Sequence, residues 1–459
     1  MLGRAIREAV LGLVVCAVSF AAHAQGPLAR YVVLGDDGQR VVRVVTSEAA
    51  CPTLTADGAD LAMSVRAGPA IAPQRKTLSG PDLSKPSAFP VLTCEAVAPR
   101  SVSHLKLGGA DLPLPPARVD RIVVIGDTGC RLKASDGQAQ DCNDPAAYPF
   151  ARIARLAADW RPDLVIHVGD YHYRETACPT DRAGCAGSPW GYGWDAWNAD
   201  FFAPGAPLLA AAPWVVVRGN HETCVRAGQG WFRFLDPHPL IPGRDCNDEA
   251  ADAENDYTAP YAAPLGDGAQ VIVLDLAAVG EGAVAPDSPM GDKIRRTHQD
   301  MTALSAKARY TFVANHKPIL GFSAYPDKSG GGVVMRPGNK GPQAIFAAEN
   351  PNIFPSTVHA LLSGHIHLWQ QVSFSTPQPT QFISGFSGTL EDTPPIPDTL
   401  PAGASPAPGS VVDHFSSWTG QFGFMTLERR AVDRWSVVVH DVAGAAVKRC
   451  EIVGRTSTC

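Results

Sequence analysis

Six apolar, β-branched runs stop abruptly at turns in the middle of this chain. IVVIGD (Ile122–Asp127) and LVIHVGD (Leu164–Asp170) end in Gly-Asp, and WVVVRGNHE (Trp214–Glu222) ends in Gly-Asn-His-Glu. VIVLDL (Val271–Leu276) follows, then YTFVANHKP (Tyr310–Pro318) around His316, then ALLSGHIH (Ala360–His367) with two histidines. Apolar runs without polar alternation read as strands buried on both faces. Strands alternating with helical stretches, such as Ala147–Asp159, imply an α/β layered core. In such sheets ligands sit beyond the carboxyl ends of the strands.

The residues at those ends share a chemistry. They are Asp127, Asp170, Asn220, His316 and the pair His365/His367. A lone Gly-Asp is only a turn signal. Five strand ends in order, each with an oxygen or nitrogen ligand type, are more specific. The set suits iron, zinc or manganese and suffices for two ions if one carboxylate bridges. Asp170 is central in the order and is the candidate bridge. Tyr173 follows it by three residues, close enough to reach the same ion. His172 lies between them.

This ordered set resembles the calcineurin-like metallophosphoesterases, over about Ile122–Leu368. Their pattern is D-x-[HG], GD, GNH[ED], H and GHxH. Here it is Asp127-Thr128-Gly129, Gly169-Asp170, Gly219-Asn220-His221-Glu222, His316 and Gly364-His365-Ile366-His367. Within the superfamily the chain looks most like the purple acid phosphatases. It has GDxG at Gly126–Gly129, GDxxY at Gly169–Tyr173 and VxxH at Val313–His316. Gly129 stands where most relatives carry a histidine ligand, and Tyr173 can replace that ligand as a phenolate.

The resemblance implies an α/β fold with a layered β-sandwich core flanked by helices, plus a small N-terminal β domain. It implies one ion on Asp127, Asp170, Tyr173 and His367, and another on Asp170, Asn220, His316 and His365. A phenolate favours Fe(III); the second site suits Zn, Mn or Fe(II). The implied reaction is hydrolysis of phosphomonoesters by a water activated between the ions. His221 is then the candidate proton donor and a substrate contact, with His172 a further substrate contact. Glu222 would orient a neighbouring group, and Lys317 and Arg218 flank ligands as candidate phosphate contacts. Rival readings are a phosphodiesterase or nucleotidase on the same site, or a non-catalytic metal- or phosphate-binding protein. After GHxH the chain reads Leu368-Trp369-Gln370-Gln371, without the aromatic-Glu-Arg run of many purple acid phosphatases, so substrate preference stays open.

Other stretches have plainer readings. His167 and His359 read as satisfied core histidines, and His238 and His298 have no motif context. The aromatic insertion Thr176–Phe202 places Trp194, Trp197 and Phe201 on one helical face, which is core packing. Pro394–Gly409 reads as a surface loop or a flexible flap.

The remaining expectations concern organisation and compartment. Residues 1–24 read as a signal peptide: Arg4 and Arg7, an apolar stretch from Ala9 to Phe20, and the cleavage site Ala22-His23-Ala24. No later run is long enough to span a bilayer. The mature chain is then secreted or periplasmic. Its formal charge passes from -6 to -7 with the loss of Arg4, Arg7 and Glu8. That mild acidity argues against nucleic acid or anionic lipid as the main partner; a phosphate-ester small molecule is the partner that the resemblance implies. Eleven cysteines become ten without Cys16, an even count that reads as disulfides in an exported chain. Proximity suggests Cys51–Cys94, Cys130–Cys142, Cys178–Cys185, Cys224–Cys246 and Cys450–Cys459. Residues 25–118 read as the N-terminal β domain, and 119–459 as the catalytic domain.

Overall fold

A computed structural model describes residues 27–328, 332–397 and 399–459. The signal-peptide reading lies outside these residues.

Two large mixed sheets carry the chain. The first has eleven strands. At its centre Arg121–Ile125, Leu164–His167 and Trp214–Val216 run parallel. Gly423–Ala431, Arg434–Asp441, Ala446–Val453 and Thr456–Thr458 extend one side in antiparallel fashion. The second sheet has seven strands. Its parallel centre is Ala269–Val273, Tyr310–Ala314, Ala360–Ser363 and Thr380–Ser384.

The side-chain alternation of a strand explains the layers. Ile122, Val124, Leu164 and Ile166 face inward and join Val271, Phe312, Leu362 and Phe382 of the second sheet in one core. Val123, Ile125, Val165 and Val216 face outward and pack under Phe150, Ile153 and Ala157 of the helix Phe150–Asp159. On the far side, Ile272, Val313 and Leu361 pack under the helices Pro289–Ser305 and Lys340–Glu349, through Ile294, Met301, Ile345 and Phe346. Both faces of the parallel centre of each sheet are therefore dry. This is why the strands read as unbroken apolar runs.

The N-terminal region is β-rich, as read from the sequence. Its strands nevertheless continue the first sheet: Ala29–Leu34 adds parallel to Trp214–Val216, with Val33 opposite Trp214. Arg40–Thr46, Leu92–Ala98 and Ser64–Ala67 follow. Two buried arginines fasten this edge. Arg43 donates to the carbonyls of Phe234 (2.9 Å) and Asp236 (2.7 Å). Arg66 donates to those of Phe232 and His238, and both arginines pair with Glu95.

All five neighbouring cysteine pairs are bonded. Trp194, Trp197 and Phe201 are buried together in the core above the first sheet. The Pro-rich segment is not a free flap. Ile396 packs in a cluster with Ala324, Leu368 and Ile383. The Pro406 carbonyl accepts from Gly338 N and Gln343 Nε2. Its apolar residues give it somewhere to bind, which composition alone does not reveal. No helix among the described residues is long and apolar enough to cross a membrane.

The shared sheet makes a stability prediction. All nine tryptophans lie at or beyond Trp160, so their fluorescence reports the later part of the chain. Arg43→Met strands two buried carbonyls and should cost about 3 kcal/mol. The tryptophan transition in guanidinium should shift to lower denaturant together with the circular-dichroism transition. An unmoved tryptophan transition would mean that the N-terminal strands unfold on their own.

Candidate metal centre

The site is built by two buried carboxylates that organise loops from behind. Glu222 accepts backbone N–H groups from Gly219 (3.1 Å), Asp170 (3.1 Å), Tyr171 (2.9 Å) and His172 (3.2 Å). It thereby ties the Gly-Asp loop of one strand to the Gly-Asn loop of the next. Asp200, fully buried, accepts from the backbone N–H groups of Cys130 (2.9 Å), Tyr173 (2.7 Å) and Arg174 (3.1 Å). Arg174 Nε adds a charged bond to the same carboxylate at 2.6 Å.

Three of the expected ligands leave their strands in the left-handed region: Asp127 (φ 55°), Asp170 (φ 58°) and His365 (φ 71°). Asp and His tolerate this region better than most residues, and such backbone concentrates at functional sites. Close approach also requires glycine. A Cβ on Gly364 would meet Asp127 Oδ2 at 2.5 Å, and one on Gly219 would collide with Asp170 Oδ1.

Ligand-type atoms converge in two groups. In the first, Tyr173 Oη lies 2.8 Å from Asp127 Oδ1, 2.9 Å from Asp170 Oδ2 and 3.1 Å from His367 Nε2. In the second, His316 Nε2 lies 3.1 Å from Asp170 Oδ2 and 3.0 Å from Asn220 Oδ1. Asp170, His316 and His365 offer ligand atoms within 4.8 Å of one another. The groups share Asp170 Oδ2. All seven residues expected as ligands are thus brought together.

The histidines are held from outside the cluster. His316 Nδ1 donates to the Val168 carbonyl at 2.8 Å, which turns Nε2 inward. His367 Nδ1 faces the Leu390 carbonyl (2.9 Å) and Asp392 (3.0 Å). His365 Nε2 faces Glu281 at 3.2 Å. Partners of this kind set tautomer and orientation in metal sites.

The donor chemistry fits cations. Oxygen and nitrogen acceptors crowd together, and Asp127 and Asp170 lie side by side with no lysine or arginine among the described residues bonded to either. Burial, then Asp127 and Asp170, push the Tyr173 hydroxyl well above its ordinary range. A cation among these atoms is what would allow it to ionise. Cys224, Cys246 and Asp256 also cluster, but the sulfurs are bonded to each other and Asp256 pairs with Arg218 at 2.7 Å.

Asp170, Asn220, His365 and His367 line a cavity of about 700 Å³, together with Lys317. Two other expectations are corrected. His172 does not reach the cavity: its ring is fully buried between Tyr192 and Trp197, because the aromatic insertion closes over it. Arg218 is also buried, paired with Asp256 and donating to the Glu222 carbonyl, so it braces the loop instead of facing substrate. His221 sits beside the cluster but outside the cavity wall. Its Nε2 is 3.8 Å from Asp170 Oδ2 and its ring packs on Tyr173. Glu175 lies 3.1 Å from its Nδ1, and Arg226 contacts the ring as well. Burial and Arg226 push its pKa down to about 3, so the ring is neutral over most of the pH range. His167 is a core histidine, bonded to Thr128 Oγ1, whereas His359 is only half-buried and accepts from Thr311 N.

Several site residues had no motif to announce them: Asp200, Glu175, Arg226, Glu281, Arg131 and Asp392. Asp200 alone left a signal, as a charged residue within a buried aromatic helix. Glu281 and Asp392 lie in irregular loops.

Comparison with known proteins follows this geometry. Residues 120–368 match the model of the calcineurin-like phosphoesterase family. No curated protein sequence matches significantly. Among solved structures, one described as PhoD superposes with a TM-score of 0.51 at 13% identity, covering 94% of this chain and 91% of its own. The purple acid phosphatase PPD1 from yellow lupin (Lupinus luteus) seeds superposes with a TM-score of 0.49 at 12% identity, covering 94% of this chain and 73% of its own. The family match spans more than half of the chain and contains all seven converging side chains, so this protein belongs to the calcineurin-like phosphoesterases, a family of metal-dependent phosphoesterases.

Proposed function

We propose that this protein is an exported dinuclear-metal hydrolase of phosphate monoesters, similar to the purple acid phosphatases. The observation that carries the reading is the single oxygen, Asp170 Oδ2, shared by two groups of ligand-type atoms. Asp127, Asp170, Tyr173 and His367 would hold one ion; Asp170, Asn220, His316 and His365 would hold the other. Fe(III) suits the first set and Zn, Mn or Fe(II) the second. When bound, two such ions draw charge from a phosphate ester and activate a water for in-line attack.

The chain supplies positioning and proton control. Glu222 and Asp200 hold the ligand loops before any substrate arrives, so little reorganisation remains. His221 stays the candidate proton donor to the leaving oxygen, oriented by Glu175. With the ring neutral, its one N–H is at Nδ1 toward the His172 carbonyl and Glu175, so donation to the leaving oxygen requires the ring to be protonated first. The five disulfides support export, since such bonds persist in oxidising compartments.

Turnover of p-nitrophenyl phosphate over bis-p-nitrophenyl phosphate tests the monoester reading, and diester preference would replace it. Removal of metal by a chelator should abolish either activity. Iron-loaded protein should absorb in the visible through a Tyr173 phenolate, and Tyr173→Phe should lose that band while keeping its fold. A band that persists in the variant places the phenol outside the metal shell. His221→Gln should keep its metal content and lower kcat by about 10²-fold. Unchanged kcat would remove His221 from the proton path.

A further inference from the structure

One wall of the cavity is not explained by the metal centre. It is formed by the hairpin Phe322–Pro326 with Val333–Pro337 and by the start of the helix Lys340–Glu349. The wall is fixed to the His316 loop, because Asn339 N donates to the Pro318 carbonyl at 3.0 Å.

The cations around the cavity fall into two kinds. Arg131 pairs with Asp392 (2.8 Å) and Lys133 with Asp136 (2.9 Å). Lys317 Nζ donates to the Val279 carbonyl at 2.6 Å. The carboxylate of Glu281 is engaged by His365 and also attracts Lys317 and Arg336, without an ion pair to either among the described residues. Arg336 and Lys340, both exposed on the unexplained wall, make no ion pair among the described residues. Arg336 is held flat over the Tyr325 ring, 4.1 Å from its centre, which restrains the guanidinium without neutralising it.

Between them lies an unmet donor. Asn339 caps the helix: its Oδ1 accepts from Gly341 N at 3.3 Å. That fixes the amide orientation and leaves Nδ2 as the free end. Asn339 is 6% exposed and lines the cavity, and its Nδ2 has no hydrogen-bond partner among the described residues. A buried amide nitrogen without an acceptor is destabilising, so an acceptor from outside is the natural partner. The first turn of a ten-residue helix adds partial positive charge at the same place.

We propose that Arg336, Asn339 and Lys340 form a second anion subsite, and that the favoured substrates are phosphate esters whose leaving group carries a further phosphate or carboxylate. The inference rests on the phosphoesterase reading above and narrows its substrate class. A cavity of about 700 Å³ has room for such a molecule, far more than one phosphate needs.

Fructose 1-phosphate and fructose 1,6-bisphosphate form a matched pair that differs by one phosphate. Metal-supplied wild-type protein should show kcat/KM at least tenfold higher for the bisphosphate. Arg336→Ala should remove that preference while changing fructose 1-phosphate turnover by less than twofold, and Arg336→Lys should restore part of it. Asn339→Asp keeps the capping oxygen but replaces the donor with a negative charge, and should also lower the preference. Equal turnover of both esters by the wild type, or equal losses in the variants, would overturn the subsite. If neither ester is turned over, the functional reading fails separately, and calorimetric titration with the same pair judges the subsite. Tighter bisphosphate binding that Arg336→Ala abolishes retains it; equal binding overturns it.

Discussion

The bond set on which this structure turns is that of Glu222, a buried carboxylate receiving four backbone N–H groups from two loops. Hydrogen bonds to a charged group are worth about 1.5–3 kcal/mol each, enough to hold loops with unfavourable backbone in place. Asp170 occupies left-handed backbone, and the loop bearing it cannot relax without breaking these bonds. The arrangement has an electrostatic cost. Burial and Asp170 push the Glu222 carboxyl up to about 8, against the pull of its N–H donors. A site that keeps Asp127, Asp170 and Glu222 so near one another is built around positive charge.

The two-sheet sandwich determines where that charge must sit. Parallel strands of both sheets present their carboxyl ends to one rim, so ligands from Asp127 to His367 meet there despite their separation along the chain. The dry packing on both faces of each sheet's parallel centre keeps the strand ends rigid. The N-terminal strands contribute through the same sheet, fastened by Arg43 and Arg66 to the segment that follows the Gly-Asn loop.

Much of the site was legible because its ligands obey a local rule: an apolar run, a glycine, then a ligand type. Asp127, Asp170, Asn220, His316, His365 and His367 could be read that way, and Tyr173 by its spacing from Asp170. His172 misled for the same reason. It stands in the motif, but strand-end geometry does not say which way a loop residue points, and the aromatic insertion buries it. Arg218 beside the Gly-Asn turn is a second case, since its acidic partners come from later loops. The Pro-rich segment read as a surface loop or flap because composition carries no record of the pocket that Ile396 fills.

The sequence by itself determined the strand runs, the ligand types and the family, because each is encoded within a few residues, and proximity suggested the disulfides that the structure bonds. Only the tertiary structure decided which groups stand behind the ligands and what faces the cavity. Arg131 meets Asp392 across 261 positions, and Asp200 reaches back to the Asp127 loop across 70. Such pairings follow from how loops of unequal length pack over one rim. No local pattern specifies that, because the free energy holding each pair is shared among elements that meet only in the folded chain.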